Sequence, residues 1–289
     1  MTTWRFHIVC LFLSIYLFAR AEEVARHTVD VSLGAALTGI RENLSIPAGA
    51  MTSLGVLDVA WQYNAAKGTV GARFDVGVGA EYGMPMLSVM RPRMQEQVQL
   101  GAYWLFRIPL PSPYVRMGAG MSLRADMVAM HPILNADWRN ASEQPISSTY
   151  FWDMSLGGMF QASYTNRRWR GKITVDVPLV MFGCFNRGQT RTGAIIESDT
   201  YTGNFFPLNV NIDKYIKPNT FAGVWNYTHP LAEMQVAYCV HRSNKARTYL
   251  HIYYAPQYLY CKLSEGATHY LRHTVGIGCT VDLLHAQSK

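Results

Sequence analysis

The chain has 289 residues and a formal charge of +7, from 26 Lys and Arg against 19 Asp and Glu, with 49 % hydrophobic residues. Beyond the N-terminal segment no stretch reaches the ~18 consecutive apolar residues of a spanning helix; the longest apolar run, 177–185, is half that and contains Pro178. A helical membrane protein is therefore excluded, and the scatter of the basic residues gives no groove for a nucleic acid.

Residues 1–21 read as a cleaved secretory signal peptide. Trp4, Arg5 and His7 open it, an apolar run fills 8–18, and Ala19-Arg20-Ala21 is a small-x-small cleavage site before Glu22 and Glu23. The remaining segment, 22–289, is expected to form one domain. If it sits in a membrane it must cross as strands, because only helices and closed barrels satisfy their own backbone groups there.

Period-two alternation then recurs along the chain. Over 27–37, Val29, Val31, Leu33, Ala35 and Leu37 oppose Asp30, Ser32, Gly34 and Ala36. A long connection is expected over 39–53. Val59, Trp61 and Tyr63 follow, opposite Asp58, Gln62 and Asn64, and 65–68 is a tight turn. The clearest stretch is 69–82, where Val70, Ala72, Phe74, Val76, Val78, Ala80 and Tyr82 share one parity. Thr69, Arg73, Asp75, Glu81 and three glycines share the other. Successive side chains of a strand point to opposite faces, so this is a long strand with one greasy face. Its length exceeds the ordinary ~5–6 residues and suits the ~9–11 of a tilted membrane strand.

The same pattern returns over 97–108, 114–126, 152–164, 172–181, 221–227, 233–241, 249–254, 259–263 and 271–283. Splitting 246–263 at Ala255-Pro256-Gln257 gives about twelve strands, with ten or fourteen as alternatives. Connections near 65–68, 109–113, 165–171 and 228–230 are short; those near 39–53, 83–95, 127–148 and 183–218 are long. Outer-membrane barrels have short periplasmic turns and longer outer loops, and their strands alternate apolar-out and polar-in. The expected fold is an all-β antiparallel transmembrane barrel.

The polar parity carries most of the strand charges: Arg73, Asp75, Glu81, Arg107, Arg116, Arg124, Asp126, Asp153, Asp176, Glu233 and Arg272. These are the expected lumen-lining residues. They either line a narrow channel that selects solutes or form a network of ion pairs that fills the barrel, since buried charges need partners. Gly77-x-Gly79, Gly118-x-Gly120 and Gly276-x-Gly278 lie inside strands, so they are not nucleotide loops. Cys184, Cys239, Cys261 and Cys279 have no metal or disulfide spacing and read as small fillers; parity sends Cys261 and Cys279 to the lipid and Cys239 to the lumen. His241, His251, His269 and His273, with Ser243 and Ser264, leave a lipid-modifying enzyme (an acyl hydrolase or acyltransferase) as the rival class. There is no Gly-x-Ser-x-Gly elbow and no His-Glu-x-x-His. No catalytic residue, cofactor or metal is predicted.

The export signal, repeated alternation, aromatic strand ends and alternating loop lengths resemble bacterial outer-membrane β-barrel proteins. Segment 173–185 and the C-terminal strands look like uncharacterised exported barrels of Bacteroidetes-type bacteria. The resemblance implies an outer-membrane location, with membrane lipids and the barrel-assembly machinery as partners. One departure stands out: Leu283-Leu284 is followed by a polar tail, where many such barrels end on an aromatic residue. A third possible role is surface binding through the loops 127–148 and 183–218.

Overall fold

The computed structural model describes residues 25–42, 46–65, 67–81, 93–112, 114–132, 149–185, 220–263 and 266–284. The segment 1–21, expected to be a signal peptide, and the polar tail lie outside them. Twelve strands form: β1 (Ala25–Glu42), β2 (Ile46–Asn64), β3 (Gly68–Glu81), β4 (Arg93–Ile108), β5 (Val115–Pro132), β6 (Thr149–Thr165), β7 (Trp169–Phe185), β8 (Thr220–Gly223), β9 (Tyr227–Thr228), β10 (Leu231–Arg242), β11 (Ala246–Leu263) and β12 (Gly266–Leu284).

Ten of them close a ring. Each pairs antiparallel with its neighbour, β7 pairs with β10, and β12 returns to β1 from Ala25↔Leu284 to Glu42↔Thr268. The short β8 and β9 stand outside the ring. β10 is shorter than its neighbours, and its ladder with β7 ends at Leu231↔Asp176. Beyond that point β8 pairs with β7 from Val180↔Gly223, and β9 pairs with β11 at Tyr260↔Thr228. The two short strands thus continue the wall where β10 has stopped.

Three sequence expectations change. First, β11 is one strand, not two. Its ladder with β10 passes from Leu231↔Gln257 to Met234↔Tyr254, so Pro256 meets β10 where no N–H is required. Parity then runs unbroken through β11 and turns Cys261 inward, where it is buried, not toward lipid. Second, β7 carries a bulge, since Leu156 pairs with Val180 but Gly157 with Pro178. The extra residue swaps the faces, so Met181 is buried inside although Val177 and Leu179 point out. Third, the strands outrun the alternation: β1 reaches Glu42, β2 starts at Ile46, and β5 reaches Pro132. The connections near 39–53 and 127–148 are correspondingly shorter than expected.

The outer wall is apolar. Leu33 is 65 % exposed and Ile277, its cross-strand partner, 68 %, and large hydrophobic side chains are exposed on every ring strand. A soluble monomer tolerates apolar patches of only a few hundred Å², so this belt faces hydrocarbon. Aromatic rings border it at both ends. Trp104 and Phe106, Tyr114 and Tyr164, and Trp169 and Tyr238 meet near the short turns; Trp152 and Phe182 meet at the opposite end. Trp169 and Phe182 lie on the same strand. At ~3.3 Å per residue and a tilt near 40° they are separated by about 30 Å along the barrel axis, the thickness of a bilayer core.

Candidate functional site

The polar parity fills the inside of the ring. Asp75, Arg124, Asp126, Asp153, Asp176, Glu233 and Arg272 point inward and are buried, and Arg73 is nearly so. Arg116 is half-buried and Arg107 exposed, both lining a recess at the short-turn end. Glu81 ends β3, and its side chain lies outside the described residues. Asp30, Asp58, Arg170, Lys172, Arg247 and Asp282 join the interior set. Asp30, Asp58, Lys172 and Asp282 alternate with apolar neighbours as the others do, so the same parity would have found them. In the sequence Arg170 and Lys172 stand with Arg167 and Arg168 in a basic cluster that reads as a solvated turn; the structure instead buries both inside the ring.

These side chains join across the lumen. At the short-turn end Arg170 Nη1 lies 2.8 Å from Asp282 Oδ1, which also accepts a hydrogen bond from the Thr28 hydroxyl at 2.8 Å. Lys172 Nζ sits 3.4 Å from Asp30 Oδ2 and 3.2 Å from Glu233 Oε1. Glu233 Oε2 continues to Arg73 Nη1 at 2.5 Å, and Arg73 Nε to Asp58 Oδ2 at 2.6 Å. Arg272 grips Asp75 with two parallel bonds of 2.9 and 3.0 Å. Going round the ring, β3 and β10 are five strands apart in either direction. The Arg73–Glu233 contact therefore spans the full diameter.

A second cluster lies deeper, toward the long connections. Arg124 donates from Nε to Asp126 Oδ2 at 2.7 Å, from Nη1 to Asp176 Oδ2 at 3.4 Å, and from Nη2 to the His229 carbonyl. Gln99 donates to Asp126 Oδ1 at 2.6 Å, and Ser122 to Asp176 Oδ1 at 2.5 Å. Asp153 Oδ1 accepts from the Tyr227 hydroxyl at 3.0 Å, which lies 3.1 Å from His229 Nδ1. That nitrogen is 3.4 Å from Asp153 Oδ2 and 3.6 Å from Asp126 Oδ2. The other ring nitrogen contacts the Gln257 amide at 2.6 Å.

Tyr227 and His229 enter the barrel because β9 fills the place left by the short β10; both are buried, whereas Phe221 and Trp225 of the same segment point outward. Sequence periodicity over 221–227 puts Tyr227 on the same face as Phe221 and Trp225, and His229-Pro230 reads only as a turn; the break between β8 and β9 is what turns Tyr227 inward. On the side of the long connections the cluster is capped by Ile40, Val128, Phe151, Met181, Leu259 and Tyr270, an apolar group inside the barrel.

Two recesses lie between these side chains among the described residues. The recess among Gln62, Asn64, Arg107, Arg116 and Gln161 holds about 70 Å³ for water, a few molecules. Another, between Asp30, Lys172, Glu233 and Tyr253, holds about 10 Å³, at most a single water.

Among the described residues, the serines and histidines of the rival enzyme reading do not come together. His241 and Ser243 are exposed at the β10–β11 turn, and Ser264 lies outside the described residues. His269 and His273 bond to Tyr258 and Tyr254 on the outside. His251 is buried, 2.7 Å from Ser32 Oγ and 3.0 Å from the Thr280 hydroxyl, with no acid on the ring.

No family model and no curated protein matches the chain. Solved structures of similar fold include the outer membrane protease OmpT of Escherichia coli, at 8 % identity and a TM-score of 0.48, over 89 % of this chain and 96 % of that one. The outer membrane protein OprG of Pseudomonas aeruginosa matches at 9 % identity and 0.35, over 93 % and 100 %. The attachment invasion locus protein Ail of Yersinia pestis matches at 10 % and 0.31, over 88 % and 99 %. At such identities the likeness is one of fold. The inside-out distribution of side chains, apolar on the outer wall and charged within, is that of a membrane-spanning β-barrel.

Proposed function

We propose that this outer-membrane barrel is plugged by its own side chains and works at its loop-bearing end, not as a solute channel. The observation that carries the reading is the 2.5 Å contact between Arg73 and Glu233 on opposite walls. Lys172, Asp30, Asp58, Arg272 and Asp75 surround it with further pairs. A solute would have to separate several of them at once. Stripping one partner from a buried pair costs about 3–5 kcal/mol, so a spontaneous opening that breaks two or three is rare. The apolar group above the second cluster adds further packed side chains across the path.

The surface role then falls to the connections 82–92, 133–148 and 186–219, which leave the ring at the end opposite the termini. They are long for hairpin connections, and recognition is commonly carried by loops on a rigid frame. The test is single-channel recording in planar bilayers with protein refolded in detergent. Silent membranes after confirmed insertion are expected. Steady, ion-selective conductance steps from the wild-type barrel would refute the plug.

A further inference from the structure

We propose that Asp126, Asp153 and His229 hold a divalent first-row transition-metal ion inside the barrel, with zinc the best match to their donor set. The three residues come from β5, β6 and the β9–β10 connection, and their ligand atoms lie within 4.8 Å of one another, all buried. His229 Nδ1 is 3.4 Å from Asp153 Oδ2 and 3.6 Å from Asp126 Oδ2. Those separations are too long for N–H···O hydrogen bonds, which run about 2.7–3.2 Å. They match the edge of a tetrahedron whose centre lies ~2.1 Å from each donor, about 3.4 Å, the geometry of a zinc site.

Two independent observations point into the same spot. Asp153 Oδ2 is fully buried and has no hydrogen-bond partner, although it is a charged oxygen. An unpaired buried carboxylate oxygen is among the costliest groups a fold can carry. The local charge is also short of cations. Asp126 and Asp176 share the Arg124 guanidinium, and Asp153, which meets the same His229 nitrogen as Asp126, adds a third carboxylate with no cation of its own. A divalent ion brings the group to neutrality.

The surroundings are those of a ligand shell. Tyr227 orients Asp153, and Gln99 with Arg124 orient Asp126. Gln257 Oε1 is buried without a partner while its Nε2 faces the ring. Turning that amide over lets Oε1 accept a hydrogen bond from His229 Nε2–H. Nδ1 is then left with a lone pair aimed at the two carboxylates, as a metal ligand must be. The ion would tie the short-β10 gap to β5 and β6 from the inside. Nothing in this depends on whether the lumen conducts.

The test uses the full mature chain, refolded from urea into detergent either with chelator or with Zn²⁺, and folding is scored by the mobility difference of boiled and unboiled samples on a gel. Metal analysis of the desalted Zn²⁺ sample should return about one equivalent. Thermal unfolding of the wild type should shift upward with Zn²⁺, and Co²⁺ in its place should give visible ligand-field absorption. Asp153→Asn combined with His229→Gln should lose the metal. Gln257→Leu, which touches no ligand oxygen, should weaken it by about tenfold. Folded wild type that retains no zinc and melts alike in both buffers would overturn the proposal, leaving protons as the missing positive charge. So would zinc that stays bound in the folded double variant. Because the wild-type comparison needs no substitution, variants that fail to fold do not rescue the idea.

Discussion

Replacing Arg73 and replacing Glu233 should have unequal consequences, although the two form one bond. Arg73 Nη1 meets Glu233 at 2.5 Å and its Nε meets Asp58 at 2.6 Å; Lys172 lies between Glu233 and Asp30. Two cations therefore face three carboxylates. Glu233→Gln leaves two cations and two anions, with Arg73–Asp58 and Lys172–Asp30 still paired. Arg73→Met leaves one cation for three anions and strips Asp58 of its partner. Orphaning a buried charge costs about 3–5 kcal/mol. The groups here retain a little exposure, 16 % at Arg73 and 8 % at Asp58, so about 3 kcal/mol is expected for Arg73→Met. For Glu233→Gln, where a hydrogen bond is weakened but no charge is stranded, about 1 kcal/mol is expected. Reversible urea unfolding in lipid vesicles, followed by tryptophan fluorescence, measures both. Equal losses, or a larger loss for Glu233→Gln, would refute the charge accounting and with it the idea of a dry, interlocked centre.

Other outcomes follow from the same geometry. Leu33→Arg places a charge in the middle of the exposed apolar wall; it should cost about 2–4 kcal/mol in vesicle unfolding, the penalty of a basic residue near the bilayer midplane. Gly276 faces the Tyr253 ring and the Leu33 carbonyl at a distance that leaves no room for a methyl group, so Gly276→Ala should destabilise by about 1–3 kcal/mol. Gly171→Ala meets nothing within 4 Å and should be neutral in the same assay.

The alternation of Val29 through Leu37, of 69–82 and of 271–283 made the barrel and its greasy face legible without coordinates. What it missed has definite causes. Past the hydrocarbon the outer face no longer needs apolar residues, so β1, β2 and β5 continue as hydrogen-bonded ladders after their alternation fades. A bulge is invisible to a strict period of two, which puts Met181 on the outer face with Val177 and Leu179. Proline reads as a breaker, so Pro256 seemed to divide β11, although it sits where the β10 ladder is interrupted. The buried cluster was hardest. Asp126 and Asp153 were named from parity, but Tyr227, His229 and Gln257 come from a short irregular wall segment and another strand. Only the closed ring brings them together.

The seam between β1 and β12 has a consequence for how this protein is made. The two strands that lock the ring are the first and last of the described chain, paired from Ala25↔Leu284 to Glu42↔Thr268. Closing a loop of roughly 240 residues carries an entropic cost on the order of 5 kcal/mol before any contact repays it. Until the final strand arrives, both edges stay open, each a template for adhesion to another chain. The nearly complete polypeptide is therefore at its most adhesive just before its ends meet.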